Sequence, residues 1–185
     1  MASADVDGDG DVDEIRTYQS SGEWKLQVSF AGGGGTAVTV TTPNVDLTGA
    51  LAFDGIDING SGKEEFFAKI GGGASAEAFG LYEVADCQLQ AIQSEGEQAV
   101  FYRGGGVNIF SHFACHDLDG NGANDFIVTF EGNRLGETSE FEVTATEYAV
   151  LDGQLQLIES KVTVRDENDP SFPGYFGTPS CGVGL

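Results

Sequence analysis

The sequence predicts an all-β fold, a propeller-like array of three antiparallel sheet units. Three observations carry that prediction. Hydrophobic spacing follows the strand period of two, and no segment shows the 3.6-residue period of an amphipathic helix. A nine-residue acidic, glycine-containing segment recurs at 5–13, 57–65 and 117–125. A longer self-match sets Tyr82-Glu-Val-Ala-Asp-Cys-Gln-Leu-Gln-Ala-Ile92 on Tyr148-Ala-Val-Leu-Asp-Gly-Gln-Leu-Gln-Leu-Ile158, and the same offset of 66 carries Phe110 and Cys115 onto Phe176 and Cys181. The 185 residues thus read as one domain of three units, at approximately 5–56, 57–116 and 117–182. Units of this length stack as propeller blades or a related array.

The elements follow in order. The first unit is short and keeps one clear strand, 24–30. The second begins with a strand at 65–70 directly after its acidic segment, continues with 78–85, and ends with 107–113, which runs into the third acidic segment. The third repeats the plan with 125–130 and 141–151. There Asp152-Gly153 is a two-residue hairpin signal, and a strand at 154–158 follows at once. Glycine-rich stretches at 32–35, 71–73 and 104–106 mark turns or close backbone approaches. The tail from Asp166 holds three of the four prolines and reads as irregular.

The nine-residue segments carry the chemistry. They are Asp5-Val-Asp-Gly-Asp-Gly-Asp-Val-Asp13, Asp57-Ile-Asn-Gly-Ser-Gly-Lys-Glu-Glu65 and Asp117-Leu-Asp-Gly-Asn-Gly-Ala-Asn-Asp125. Oxygen-bearing side chains fall at positions 1, 3, 5 and 9, and glycine at 4 and 6. Such spacing wraps a short loop around a hard cation, because calcium takes six to eight oxygen ligands in a flexible shell. Glycine supplies the positive φ that so tight a loop requires. A plain turn is the competing reading, since Asp, Asn and Gly dominate turns. Three copies in register favour the cation.

The segment, followed by an aliphatic or aromatic position (Glu14-Ile15, Phe66-Phe67, Phe126-Ile127), resembles the calcium loops of FG-GAP/VCBS repeats, the blade units of integrin-α-like β-propellers. The resemblance covers the chain as three units. It implies a loop that joins the last strand of one blade to the first of the next. It also implies calcium held by side chains at positions 1, 3, 5 and 9 and by the carbonyl at 7. On this chain those are Asp5, Asp7, Asp9 and Asp13 with the Asp11 carbonyl; Asp57, Asn59, Ser61 and Glu65 with the Lys63 carbonyl; and Asp117, Asp119, Asn121 and Asp125 with the Ala123 carbonyl. Up to three Ca²⁺ ions are expected. By carboxylate count the second loop is the weakest, and the first is exposed to fraying near the terminus. Such propellers close with about seven blades, so three units imply further blades in a longer parent chain, self-assembly, or a compact three-unit form.

Other motifs fail on their own residues. An EF-hand needs a bidentate Glu at loop position 12, where this chain has Arg16, Ala68 and Val128. Gly60-Ser-Gly-Lys63 lacks the flanking Gly and Ser/Thr of a phosphate loop. Asn59-Gly-Ser61 is formally a glycosylation sequon, but the cation loop uses both residues. His112 and His116 read as packing or capping residues, Trp24 and Tyr102 as strand partners. No nucleophile elbow or spare carboxylate pair is present, so an enzyme is not expected.

Bulk charge narrows the partners. The chain has 30 Asp+Glu against 8 Lys+Arg, a formal net charge of −22. That disfavours nucleic acid and anionic membrane surfaces. No run of about 18 apolar residues spans a membrane. Met1-Ala-Ser-Ala4 is too short and polar for a secretory signal and reads as residues preceding a mature segment. Three cysteines allow one intramolecular pair; Cys87–Cys115 is the expected bridge and Cys115–Cys181 the competing one. Together these readings suggest an extracellular or cell-surface calcium-binding module for structure, adhesion or interaction, with a protein or glycan partner. The alternative is a non-catalytic, carbohydrate-binding accessory module of a secreted hydrolase or lyase.

Overall fold

The computed structural model describes residues 1–41, 51–117, 126–170, 172 and 181. Among these residues every regular element is a strand. An antiparallel meander is formed by β1 (Ala2–Ala4), β2 (Asp13–Ser20), β3 (Glu23–Ser29) and β4 (Gly35–Thr39). The second sheet contains β5 (Leu51–Ala52), β6 (Phe66–Gly72), β7 (Ala76–Ala85), β8 (Gln88–Ala91), β9 (Gln93–Ser94), β10 (Glu97–Gln98), β11 (Val100–Gly105), β12 (Ile109–His116), β13 (Phe126–Arg134), β14 (Glu140–Leu151) and β15 (Gln154–Asp166). Its order is β10-β9-β15-β14-β13-β12-β11-β7-β6-β5, with β8 on β7.

One sheet per repeat unit is therefore not what forms. Strands β12 and β13, assigned to different units, pair continuously from Ile109↔Asn133 to His116↔Phe126. The second and third units share one sheet. That sheet also curls. Strand β9 continues β8 after a single residue, Ile92, yet pairs with the start of β15 at Gln154↔Gln93. By way of β9 and β8 the sheet thus curls from β15 back toward β7, with a single residue pair between β9 and β15, short of a regular barrel.

Strand composition explains the layers. Strand β7 alternates between two cores: Ala78, Tyr82 and Val84 face one, Phe79 and Leu81 the other. Strand β6 does likewise, with Phe66, Ala68 and Ile70 against Phe67. Burial on both faces is why nearly every side chain along β6 and much of β7 is buried, where period-two spacing would leave one face to solvent. The first core packs the meander (Val6, Ile15, Leu26, Val28) on β6 and β7. The second fills the curl with Phe67, Phe79, Leu81, Phe101, Phe113 and Ile127. A third, smaller cluster joins Phe110, Phe141 and Val143, with Phe130 and Phe172 against them.

The Asp152-Gly153 hairpin forms as expected, with φ of 49° and 72°, the left-handed pair of a type I′ turn. Its counterpart Asp86-Cys87 has φ of 50° and 59°. Strands β12, β13 and β15 run further than their expected ends because pairing neighbours extend them. The cysteine expectation is corrected. Cys115 is bonded to Cys181, with Cα atoms 5.0 Å apart, and Cys87 is free and exposed. The reason is placement: Cys115 and Cys181 are buried together in the second core, while Cys87 sits outside on a tight turn.

Candidate metal centre

Each nine-residue segment is bracketed by antiparallel partners. Ala4 pairs with Asp13 around the first, Ile56 bridges Glu65 around the second, and His116 faces Phe126 across the third. The first two loops are hairpin closures, so both ends of each are fixed by main-chain pairing.

In the first loop the carboxylates organise the backbone. Asp5 Oδ1 accepts from the Gly8 and Asp9 amides at 2.9 and 3.1 Å, and its Oδ2 from Gly10 at 3.0 Å. Asp7 Oδ1 accepts from the Asp9 amide at 3.3 Å, and Asp9 Oδ1 from that of Asp11 at 2.8 Å. The buried Asp13 accepts from Val6 at 3.1 Å and from Ala31 at 2.9 Å. Gly8 and Gly10 have φ of 77° and 90°, which a side chain would strain.

The second loop repeats this frame. Asp57 accepts from the Ser61 amide at 3.1 Å and the Gly62 amide at 3.0 Å. Asn59 Oδ1 takes a second bond from Ser61 at 3.0 Å, and the Lys63 amide donates to Ser61 Oγ at 3.3 Å. Glu65 accepts from the Ile58 amide at 3.0 Å, as Asp13 does from Val6. Gly60 and Gly62 have φ of 68° and 79°. One difference is chemical: Asn59 Nδ2 donates to Glu65 Oε1 at 2.8 Å, where the first loop has a second carboxylate, Asp7.

Donor sets separate the loops. Oxygen atoms of Asp5, Asp7 and Asp13 all lie within 4.8 Å of one another. All are hard carboxylate donors on a braced loop, which fits Ca²⁺. Asp9 and Asp11 are exposed and outside that group. The second loop supplies only Asp57 and Glu65 as carboxylates, beside neutral Asn59 and Ser61. In the third, Asp117 is described and exposed, while Asp119, Asn121, Ala123 and Asp125 lie outside the described residues.

Electrostatics follows from crowding. Asp7 titrates above the usual aspartate range, first because the loop strips water from it and then because the carboxylates of Asp9, Asp13 and Asp5 repel its charge; the Asp9 amide opposes this. Glu65 is pushed from 4.5 to about 7 by burial first, then by Asp57 and Glu83, against the hydrogen bond from Ile58. The folded state thus holds a proton that the unfolded chain releases above 4.5. Glu65 favours folding at low pH, and that contribution is lost as pH rises from 4.5 through about 7, an effect of at most about 3 kcal/mol. In calcium-free buffer Glu65→Gln is expected to flatten this part of the stability profile. Urea midpoints at several pH values measure it, and parallel profiles for the two proteins would refute it.

An open cleft of about 430 Å³ lies between the second loop, the β7–β8 hairpin and the Asp152-Gly153 turn. Glu64, Glu65, Glu83, Asp86 and Asp152 line it, with Lys63 as the basic residue. Glu83 accepts from Gln90 Nε2 at 2.7 Å. The histidines pack on rings, His112 on Phe130 and His116 on Phe126. Sequence reasoning missed Glu64, whose carboxylate accepts from the Asp5 amide at 2.7 Å. Position 8 of the motif takes any residue, so nothing in the spacing singled it out.

No family model matches the chain, and no curated protein matches it. Among solved structures, a Xanthomonas type IV secretion system related protein aligns at 15% identity over 79% of this chain and 85% of that one, with a TM-score of 0.30.

Proposed function

We propose that the chain is a non-catalytic calcium-binding module for structure, adhesion or interaction, whose nine-residue hairpin loops are FG-GAP/VCBS-like cation sites. The observation that carries this reading is the convergence of the Asp5, Asp7 and Asp13 carboxylates on one braced loop. The matching hydrogen-bond frame of the second loop supports it. The propeller-like part of the reading rests on the repeat in sequence; the first two loops close hairpins within sheets, so the likeness lies in the loop and not in a ring of blades.

Calcium binds the native state through carboxylates that the unfolded chain holds apart, so binding energy adds to stability. The Cys115–Cys181 bond supports an oxidising compartment, extracellular or at the cell surface. The partner is proposed to be a protein or a glycan, bound without catalysis.

Thermal melting in calcium and in chelator tests the function. At a calcium concentration of about 100 times Kd, one site adds roughly 2.7 kcal/mol, so the melting point is expected to rise by several degrees. Asp7→Ala should remove the first loop's share. A melting point indifferent to calcium would overturn the reading.

A further inference from the structure

The first two loops touch, and they do so through the residues that frame their donor sets. The Asp5 amide donates to Glu64 Oε2 at 2.7 Å, and the Glu64 amide donates back to the Asp5 carbonyl at 2.9 Å. Asp5 is position 1 of the first loop. Glu64 immediately precedes Glu65, position 9 of the second. Gly8 completes the contact: a Cβ there would lie 3.0 Å from Lys63 Cγ and 3.2 Å from the Gly62 carbonyl oxygen. The main chain of the second loop and the Lys63 stem thus rest on the first loop where it has no side chain. One strand further back, the Gly55 amide donates to the Ser3 carbonyl at 2.9 Å, and the Ser3 amide to Asp54 Oδ1 at 3.0 Å. The bases of the two loops are bonded on both sides of the contact.

From this geometry we propose that the first two loops bind calcium as a coupled pair, with Glu64 as the positioning residue between them. The proposal rests on the calcium reading above. Glu64 belongs to neither donor set; its carboxylate is committed to the main chain of Asp5. The Asp5 side chain in turn gathers the Gly8, Asp9 and Gly10 amides, so a cation that draws Asp5 inward moves the backbone to which Glu64 is bonded. Glu64 carries that shift to Glu65, which holds Ile58 and Asn59 in the second loop. Ordering either loop therefore orders part of the other. Coupling between sites is reciprocal and commonly amounts to about 5- to 150-fold in affinity. Loops joined by two direct hydrogen bonds and one packed contact belong toward the lower end, at roughly tenfold.

A calcium titration of ¹⁵N-labelled protein followed by NMR tests this, with the Gly10 and Gly62 amide signals reporting the first and second loops. The titration is run in about 0.5 M KCl, where screening suppresses through-space effects between the loops. Asp7→Ala removes a donor from the first loop and disturbs little else, because its carboxylate accepts from the Asp9 amide alone among the described residues. The expected result is that Asp7→Ala moves the Gly62 midpoint to about tenfold higher calcium. In a Glu64→Ala background the same replacement should shift that midpoint less than twofold. Glu64→Gln, which keeps an oxygen acceptor for the Asp5 amide, should restore the full shift. A Gly62 midpoint that ignores Asp7→Ala in the otherwise native chain overturns the coupling while calcium binding stands. Gly10 and Gly62 signals that both ignore calcium overturn the binding reading and the coupling with it.

Discussion

Loss of the Cys115–Cys181 bond is expected to lower stability by about 4 kcal/mol, because the bond closes a loop across a sequence separation of 66 and chain-entropy cost grows with the logarithm of that length. The two sulfurs are buried in the core that fills the curled sheet. A Cys115→Ser, Cys181→Ser pair would therefore add the burial of two hydroxyls to the entropic loss. Urea unfolding with and without reductant gives the magnitude. Before reduction, alkylation of the native protein should label Cys87 alone, since that thiol is exposed and unpaired. A midpoint unmoved by reduction, or labelling of Cys115, would contradict the pairing.

Gly132→Ala is expected to cost about 1–3 kcal/mol, the usual range for overpacking a filled core. A Cβ at that position would fall inside the ring of Phe110. The ring has nowhere to go, as it packs on Phe141 at a centroid distance of 5.6 Å and on Phe172 at 5.1 Å. Strands β12 and β13 are in register there, with Phe110 opposite Gly132. Glycine is required for space and not for backbone freedom. Phe110→Leu should recover part of the loss in the double variant, which a denaturation cycle would measure. An unchanged midpoint for Gly132→Ala alone would refute this account.

Local features of the fold were legible in the sequence. Asp152-Gly153 named its turn because few residues accept two successive left-handed conformations. The loop glycines named theirs for the same reason. Runs such as those around Phe66 and Phe79 were legible as strands, but the period-two reading did not tell that both of their faces are buried. What the sequence hid was pairing at a distance. Period-two spacing tells which face of a strand is buried but not which strand lies beside it, so β12 and β13 were assigned to separate sheets. Of the two cysteine pairings the sequence left open, the competing one forms: burial in a common core, which brings Cys181 to Cys115, is not written in strand spacing. At the candidate site the spacing pointed to Asp5, Asp7 and Asp13, whose carboxylates lie together in the first loop. The contact of Glu64 with Asp5 could not be read from spacing, because it depends on how two hairpins dock.

Strand β7 has a further consequence. One of its faces belongs to the core shared with the N-terminal meander, the other to the core inside the curl. A cut after the first sequence unit would leave Phe66, Ala68, Ile70, Tyr82 and Val84 facing water, a contiguous apolar patch of the kind that drives aggregation. The periodic units visible in the sequence are thus not autonomous folding units. The meander and the curled sheet share a wall, and they are expected to melt in a single cooperative step.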